Sequence, residues 1–399
     1  MNKTLTTLAV SAFALTSSLS LQAEDAASFS EALTEGKPSI DFRLRLENVA
    51  ESAMDANAIT ERLRIGYTTG SFNGFSAHAD VEDIRAIDDS YNSTQNENTS
   101  DSVVADPEDT ELNQAFVQFQ NDYVLLKAGR QRIKLDNDRF IGNVGWRQDE
   151  QTFDAILGTI TPVEHLDITA GYIHQINGIL GDNSNDSESP LLNVSYAGWD
   201  VAKVALFAYL LDLEDTPDAS SDTYGIRVTG DVDMSEENKF KWELSYAQQT
   251  DAADNTANYN ADYYNVKGTF VINKFSFGAA YEVLGSDNGS SFQTPLATKH
   301  GFNGYADKFL TTPAMGLENT EIFIGAECPE HNVCAKLSYY FFDSDTGGVD
   351  YGEEIDFCIK KEIGENWAIS GKVASFDKGD ATSKYEDVEK YIVQTDFSF

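Results

Sequence analysis

Basic residues are scarce in this chain: lysine and arginine number 28 against 66 aspartates and glutamates, a formal net charge of −38. Nucleic-acid binding leaves a basic face as its footprint, so no nucleic-acid partner is expected. Beyond the N-terminus there is no run of about 20 apolar residues, the length a membrane helix needs. No linker rich in proline, glycine or serine divides the 399 residues, and composition does not shift along them, so one domain is expected. Cysteines number three, and no Cys/His spacing fits zinc. Catalytic motifs are missing as well. The histidines, His78, His165, His174, His300 and His331, form no H-E-x-x-H pattern, and there is no G-x-S-x-G. No enzyme, catalytic residue, cofactor or metal site is expected.

Residues 1–23 read as an export signal. Lys3 is the charged start, "TLTTLAVSAFALTSSLSL" is the apolar stretch, and "LQA" before Glu24 is a small-residue cleavage site. Export makes a disulfide possible. Cys328 and Cys334 bracket "PEHNV" in a short turn, with two readings open: a disulfide across a hairpin, or free thiols in a strand wall. Cys358 is left over.

Helical spacing is nearly absent, and period-two alternation takes its place. "SFGAAYEV" sets Phe277, Ala279, Tyr281 and Val283 against Ser276, Gly278, Ala280 and Glu282. "DFRLRLEN" sets Phe42, Leu44 and Leu46 against Arg43 and Arg45. The chain is therefore all-β. About 18 segments of this kind, from 38–48 to 388–399, each have roughly the 9–11 residues a tilted strand needs to cross a bilayer.

The connections alternate in length. Short turns such as "QND", "AGWD" and "GEN" take turns with longer acidic loops around 49–58, 86–110, 134–149, 177–189, 212–221, 249–259, 285–319, 343–352 and 378–387. A soluble sandwich has no reason to sort its loops this way. A transmembrane antiparallel β-barrel does, with short periplasmic turns and long extracellular loops. The last segment, "YIVQTDFSF", ends on Phe399 and resembles the terminal-strand signal that the barrel assembly machinery reads. The expected barrel spans 24–399 in the bacterial outer membrane, with membrane lipid and lipopolysaccharide as neighbours. The acidic loops lack EF-hand spacing and are read as solvated.

Charge placement points to a pore. Arg43 and Arg45 share the polar face of the first strand, and Arg62 and Arg64 that of the second. An arginine at the lipid-facing midplane would cost roughly 2–4 kcal/mol, so these four are expected inside. There they either form a basic patch that attracts anions, or merely neutralise Asp41, Glu47, Asp80 and Glu82. Alternation fails at Arg130 and Arg132, with two placements open: a bulge at Gly129 turns them inward, or they reach outward to the headgroups.

One long loop is not polar. "FQTPLATKHGFNGYADKFLTTPAMGL", residues 292–317, carries seven large apolar or aromatic side chains, Phe292, Leu296, Phe302, Tyr305, Phe309, Leu310 and Leu317. A loop in water gains nothing from them. Folding toward the lumen, with loop 134–149, gives them a partner and makes Phe302, Tyr305 and Phe309 a constriction. Their three- and four-residue spacing allows a helical turn that leaves Lys299 and Lys308 free for solutes.

Two stretches, "LKAGRQRIKLDNDRFIGNVGWRQDEQTFDA" and the opening "FQTPLATKHGFNGYADKFLTTPAMGL", resemble the alginate-export family of outer-membrane porins. The resemblance implies an 18-stranded barrel with a basic lumen that passes an anionic polysaccharide. It also implies that Arg130, Arg132, Arg139 and Arg147 lie on the solute pathway. The function expected is passive transport of hydrophilic solutes, with anions, sugar acids and polysaccharides as the candidates. The rival is a structural barrel, an anchor or adhesin with a plugged lumen.

Overall fold

Arg45 is 1% exposed, while Leu46 beside it is 45% exposed. Next door, Arg62 is buried at 2% and Leu63 stands out at 39%. Such inverted alternation suits a sheet whose outer face meets lipid and whose inner face meets protein and solute. The computed structural model describes residues 25–52, 54–181, 183–380 and 384–399. The expected export signal at 1–23 lies outside them.

A short helix, α1 (Phe29–Thr34), precedes the sheet, capped where Ser28 Oγ accepts from the Glu31 N–H. Then come β1 (Lys37–Glu51), β2 (Met54–Thr68), β3 (Phe75–Ser90), β4 (Asp109–Gln120), β5 (Val124–Gln131) and β6 (Thr152–Val163). They are followed by β7 (Leu166–Asn177), β8 (Ser184–Trp199), β9 (Ala202–Leu211), β10 (Ser221–Ser235), β11 (Asn238–Asp251) and β12 (Asn260–Ile272). The last six are β13 (Phe275–Leu284), β14 (Leu317–Cys328), β15 (Val333–Asp343), β16 (Asp350–Ile363), β17 (Trp367–Lys378) and β18 (Val388–Ser398).

Each strand pairs antiparallel with the next in an 18-stranded sheet. β1 closes it on β18, from Asp41 opposite Ser398 to Glu51 opposite Val388. Closure leaves no unpaired edge, the condition for a sheet in hydrocarbon. The expected fold class is what the chain adopts.

At one end the connections are tight, with two residues each at 164–165, 200–201, 236–237 and 273–274. The other end carries the long loops 91–108, 132–151 and 285–316. The loop expected at 49–58 is instead a hairpin, since β1 and β2 run on through it with Val49 opposite Ala56 and Glu51 opposite Met54. Likewise β3 reaches Ser90 and β8 begins at Ser184, which shortens the loops expected at 86–110 and 177–189. Beyond the bilayer a strand needs no apolar outer face, so these extensions carry no alternation of apolar residues.

The disulfide reading of Cys328 and Cys334 is corrected: all three cysteines are free thiols. Cys328 lies opposite Val333, and Cys334 opposite Glu327. That one-residue offset sends the two side chains to opposite faces of the sheet, where no S–S bond can span.

The apolar core sits inside the barrel, at its long-loop end. Loop 285–316 turns inward and buries Phe292, Leu296, Tyr305 and Phe309. Phe309 enters an aromatic pocket, with ring centroids 4.5 Å from Phe342 and 4.9 Å from Tyr385. From loop 132–151, Phe140 packs against the walls of β9 and β12, 4.9 Å from Phe207 and 5.3 Å from Tyr263.

Candidate functional site

β1 and β2 place Arg43 opposite Arg62, so four guanidinium groups crowd one patch of the inner wall. Taking such a group out of water costs several kcal/mol unless it is paired and hydrogen-bonded. The partners come from loop 132–151 and from carboxylates and amides of the wall and loop 91–108. Arg43 Nη1 donates to the carbonyls of Gly145, Trp146 and Arg147 at 3.1, 3.1 and 2.9 Å, while its Nε meets Asp396 at 2.8 Å. Arg45 bonds the Trp146 carbonyl, Gln394 at 2.7 Å and Asp106 at 3.3 Å. Arg62 donates to the Gln148 carbonyl at 2.9 Å and pairs with Asp41. Arg64 pairs with Glu82, and with Glu150 at 3.1 Å. The patch is a bracket that holds the inward loop by its backbone.

The arginines of that loop are buried in turn. Arg139 makes a two-pronged pair with Glu282 at 2.7 and 2.9 Å and lies 4.8 Å over the Phe302 ring. Arg147 meets Glu47 at 3.1 Å, Asp106 at 3.5 Å and Asp307 at 3.6 Å. Asp106, fully buried, comes from a third inward loop, 91–108, and also accepts from the Gln148 N–H at 2.9 Å.

The two open placements at Gly129 divide the residues between them. Arg130 stays on the outward face, paired with Asp154 at 2.8 Å across β5 and β6. Arg132, beyond the strand, turns in to the buried Glu150.

Loops 132–151 and 285–316 interlock. The Gly142 N–H donates to the Leu296 carbonyl at 2.8 Å, and the Thr298 N–H to the Asp138 carbonyl at 3.0 Å. His300 stacks flat on Trp146, ring centroids 3.4 Å apart, and its ring centroid lies 5.0 Å from that of Tyr305. Its Nδ1 faces Asp307 at 2.7 Å and its Nε2 faces the Lys372 ammonium at 2.8 Å. An ammonium only donates, so Nε2 accepts and Nδ1–H donates to Asp307: the ring is neutral. Burial pushes the His300 imidazole well below its usual range, more than Asp307 can offset. Burial would raise Asp307, but His300, Lys390 and Arg147 hold its carboxyl below the usual range.

The expected helical turn through Phe302, Tyr305 and Phe309 does not form. The only helical element in this loop is a 3-10 turn at Lys299–Gly301, and the three aromatics go to three places: Arg139, His300 and the Phe342 pocket. Lys308 is tied to Glu51. Lys299 has no ion-pair partner among the described residues, and burial pushes its ammonium down to about 8, with Arg139 adding to the effect.

Beneath this roof lies a cavity of about 1220 Å3 on the short-turn side. Of the arginines and lysines singled out from sequence only Arg43 lines it, with Phe302, Tyr305 and Trp146 overhead. Its walls carry Arg227, which strand alternation places on the polar face, and side chains the sequence reading passed over, Lys203, Lys241, Lys267, Lys336 and Lys372. Nine basic and eight acidic residues line it, in a chain with 28 and 66, so the cavity escapes the acidity of the rest of the chain. Lys336 and Lys267 share Glu321 at 2.5 and 3.6 Å, whereas Lys203 and Lys241 have no carboxylate partner among the described residues. Strand parity was the signal available: Lys203, Lys241 and Lys372 alternate with outward Leu206, Leu244 and Val373.

The sequence pattern of the family described as alginate export matches residues 39–281. No curated protein matches by sequence. Several solved structures share the fold. OpdQ of Pseudomonas aeruginosa is 14% identical with a TM-score of 0.72, covering 93% of this chain and 99% of that one. OccAB2 of Acinetobacter baumannii is 13% identical, TM-score 0.76, covering 92% and 99%. OpdK of Pseudomonas aeruginosa, solved with vanillate, is 10% identical, TM-score 0.74, covering 92% and 99%.

Proposed function

We propose, since this chain belongs to the alginate export family, that its barrel is a passive outer-membrane channel for small anionic hydrophilic solutes, sugar acids among them. The observation that carries this reading is the cavity beneath an aromatic roof, where nine basic residues meet eight acidic ones and Lys203 and Lys241 have no carboxylate partner among the described residues. A local excess of positive charge lowers the energy of a passing anion whatever the total charge of the chain. The Phe302 ring, which lines the cavity, suits the apolar face of a sugar or a small ring. Of the residues proposed from sequence, Arg43 contacts the solute, while Arg45, Arg62, Arg64, Arg139 and Arg147 act by holding the roof. Phe399 is the mark by which assembly machinery places the barrel, and outward Leu46, Leu63 and Ile65 are its lipid contacts.

The interlocked loops favour a second reading, a structural barrel with a plugged lumen. Single-channel recording of the purified protein in planar bilayers separates the two. Resolved conductance steps, with a reversal potential favouring anions in a salt gradient, are expected. Absence of conductance would leave the plugged barrel.

A further inference from the structure

Glu82 on β3 lies directly opposite Glu111 on β4, and both face inward. Like charges opposed across a ladder destabilise it. Loop 132–151 makes matters worse by laying Asp149 on the pair, so that one carboxylate oxygen of each of the three lies within 4.8 Å of the others. Glu82 is 1% exposed and Asp149 is fully buried. Partners are few. Glu82 Oε2 is taken by Arg64, and Asp149 Oδ2 accepts the Gly181 N–H at 3.2 Å. Glu82 Oε1 and Asp149 Oδ1 have no hydrogen-bond donor among the described residues. Buried carboxylate oxygens in that state are costly.

We propose that Glu82, Glu111 and Asp149 bind a divalent cation, Ca2+, which ties the inward loop 132–151 to the barrel wall. The donor set is all oxygen, as a hard cation requires. A point equidistant from three oxygens at the observed limit is about 2.8 Å from each, so a small closure brings them to the roughly 2.3–2.6 Å of Ca2+–O bonds. Second carboxylate oxygens and water complete a shell of about 6–8. Mg2+ suits the place less, because it demands near-octahedral geometry and keeps its own waters. The ion sits where three segments meet: the β3–β4 wall, the Asp149 loop, and Gly181 beyond the end of β7. It therefore acts on the same loop that the arginine bracket holds.

Burial, with Glu82 and Glu111 close by, makes a bare Asp149 carboxylate unfavourable here.

The test uses the whole barrel, refolded in detergent without lipopolysaccharide and stripped with chelator. Equilibrium dialysis against radioactive Ca2+ measures the ion bound, and the temperature at which the folded gel band disappears measures the lock. Wild type is expected to bind one equivalent more than Asp149→Asn, and Ca2+ is expected to raise its transition temperature but not that of the variant. Glu111→Gln, at the wall rather than in the loop, is expected to show the same loss and serves if Asp149→Asn does not fold. Equal binding by wild type and both variants would mean that Ca2+ meets only the solvated acidic loops, and would overturn the proposal. So would a wild type that binds none while Asp149→Asn is more heat-stable in chelator, since the site would then hold a proton only.

Discussion

Lys372 Nζ lies 2.8 Å from His300 Nε2, and this contact joins the barrel wall to the loop that roofs the cavity. It exists only while the imidazole is neutral. Protonation would set two cations against each other in a buried place, with Trp146 stacked at 3.4 Å on the ring and Arg147 4.2 Å over that same indole.

The sign of the pH effect follows. His300 is held below its usual range in the folded roof, whereas an unfolded or released loop titrates near 6.5. The released state therefore binds more protons in acid. The contribution to stability is fully present above about pH 6.5 and is lost as pH falls below it. Single-channel recordings between pH 7.5 and 5 are expected to show growing open-state noise or larger conductance. His300→Gln, which cannot charge, is expected to flatten that dependence. A wild-type trace unchanged over the range would count against the roof as a titrating element.

Selectivity is expected to follow the lysines of the cavity more than the arginines first singled out. Lys203→Gln with Lys241→Gln removes two cations that no carboxylate neutralises among the described residues. Anion-over-cation permeability should fall, on the order of twofold at low salt, and the difference should shrink in high salt as screening grows. Lys378→Gln is the control, because Lys378 pairs with Glu386 in the last outer loop at 2.6 Å.

Arg62→Ala should act differently. It removes one bond each from Asp41, which is a third exposed and keeps Ser398, and from the Gln148 carbonyl, which keeps a longer bond from Arg64, so the loss is on the order of 1–3 kcal/mol. The barrel ladder does not depend on that side chain, so the expected loss falls on the loop. Conductance should rise, and loop 132–151 should become open to protease in detergent, while the sheet persists by circular dichroism. An intact, protease-resistant loop would mean that Arg43, Arg45 and Arg64 hold it unaided.

Strand parity made the barrel legible: Arg45 against Leu46 and Arg62 against Leu63 fix which face is which without any long-range information. The aromatic content of loop 285–316 marked it as inward for the same reason, since Phe292 and Phe309 had nothing to gain in water. What each side chain meets was not legible. The carbonyls of residues 145–147 that receive Arg43 come from about a hundred residues away, and no periodicity announces a backbone acceptor. The opposition of Glu82 and Glu111 was hidden by a register shift between Asp80 and Val81, where β4 carries Asn113 as an extra residue. The cavity lysines sat in plain alternation, but arginines clustered in the first third of the chain drew the reading away from them.

Removing the inward loop tests the constriction itself. β13 and β14 pair with Leu284 opposite Leu317, so the two ends of loop 285–316 are already neighbours and a short turn can join them. Deleting 292–316 should therefore leave the barrel closed. It takes away Phe309 and its contacts with Phe342, Phe376 and Tyr385, and a buried phenylalanine truncated to alanine costs roughly 3–5 kcal/mol. It also takes away His300, Tyr305 and the backbone bonds to Gly142 and Asp138, so the roof over the cavity goes with it. Single-channel conductance should rise severalfold, and anion selectivity should weaken as the pore widens beyond a Debye length of about 8 Å in physiological salt. Phe309→Cys in the full chain is the companion measurement. Packed among four aromatic rings, that thiol should resist a membrane-impermeant maleimide in whole cells and react once the protein is denatured. Rapid labelling of Phe309→Cys in cells, with conductance unaltered by the deletion, would place the loop outside the mouth as a contact surface.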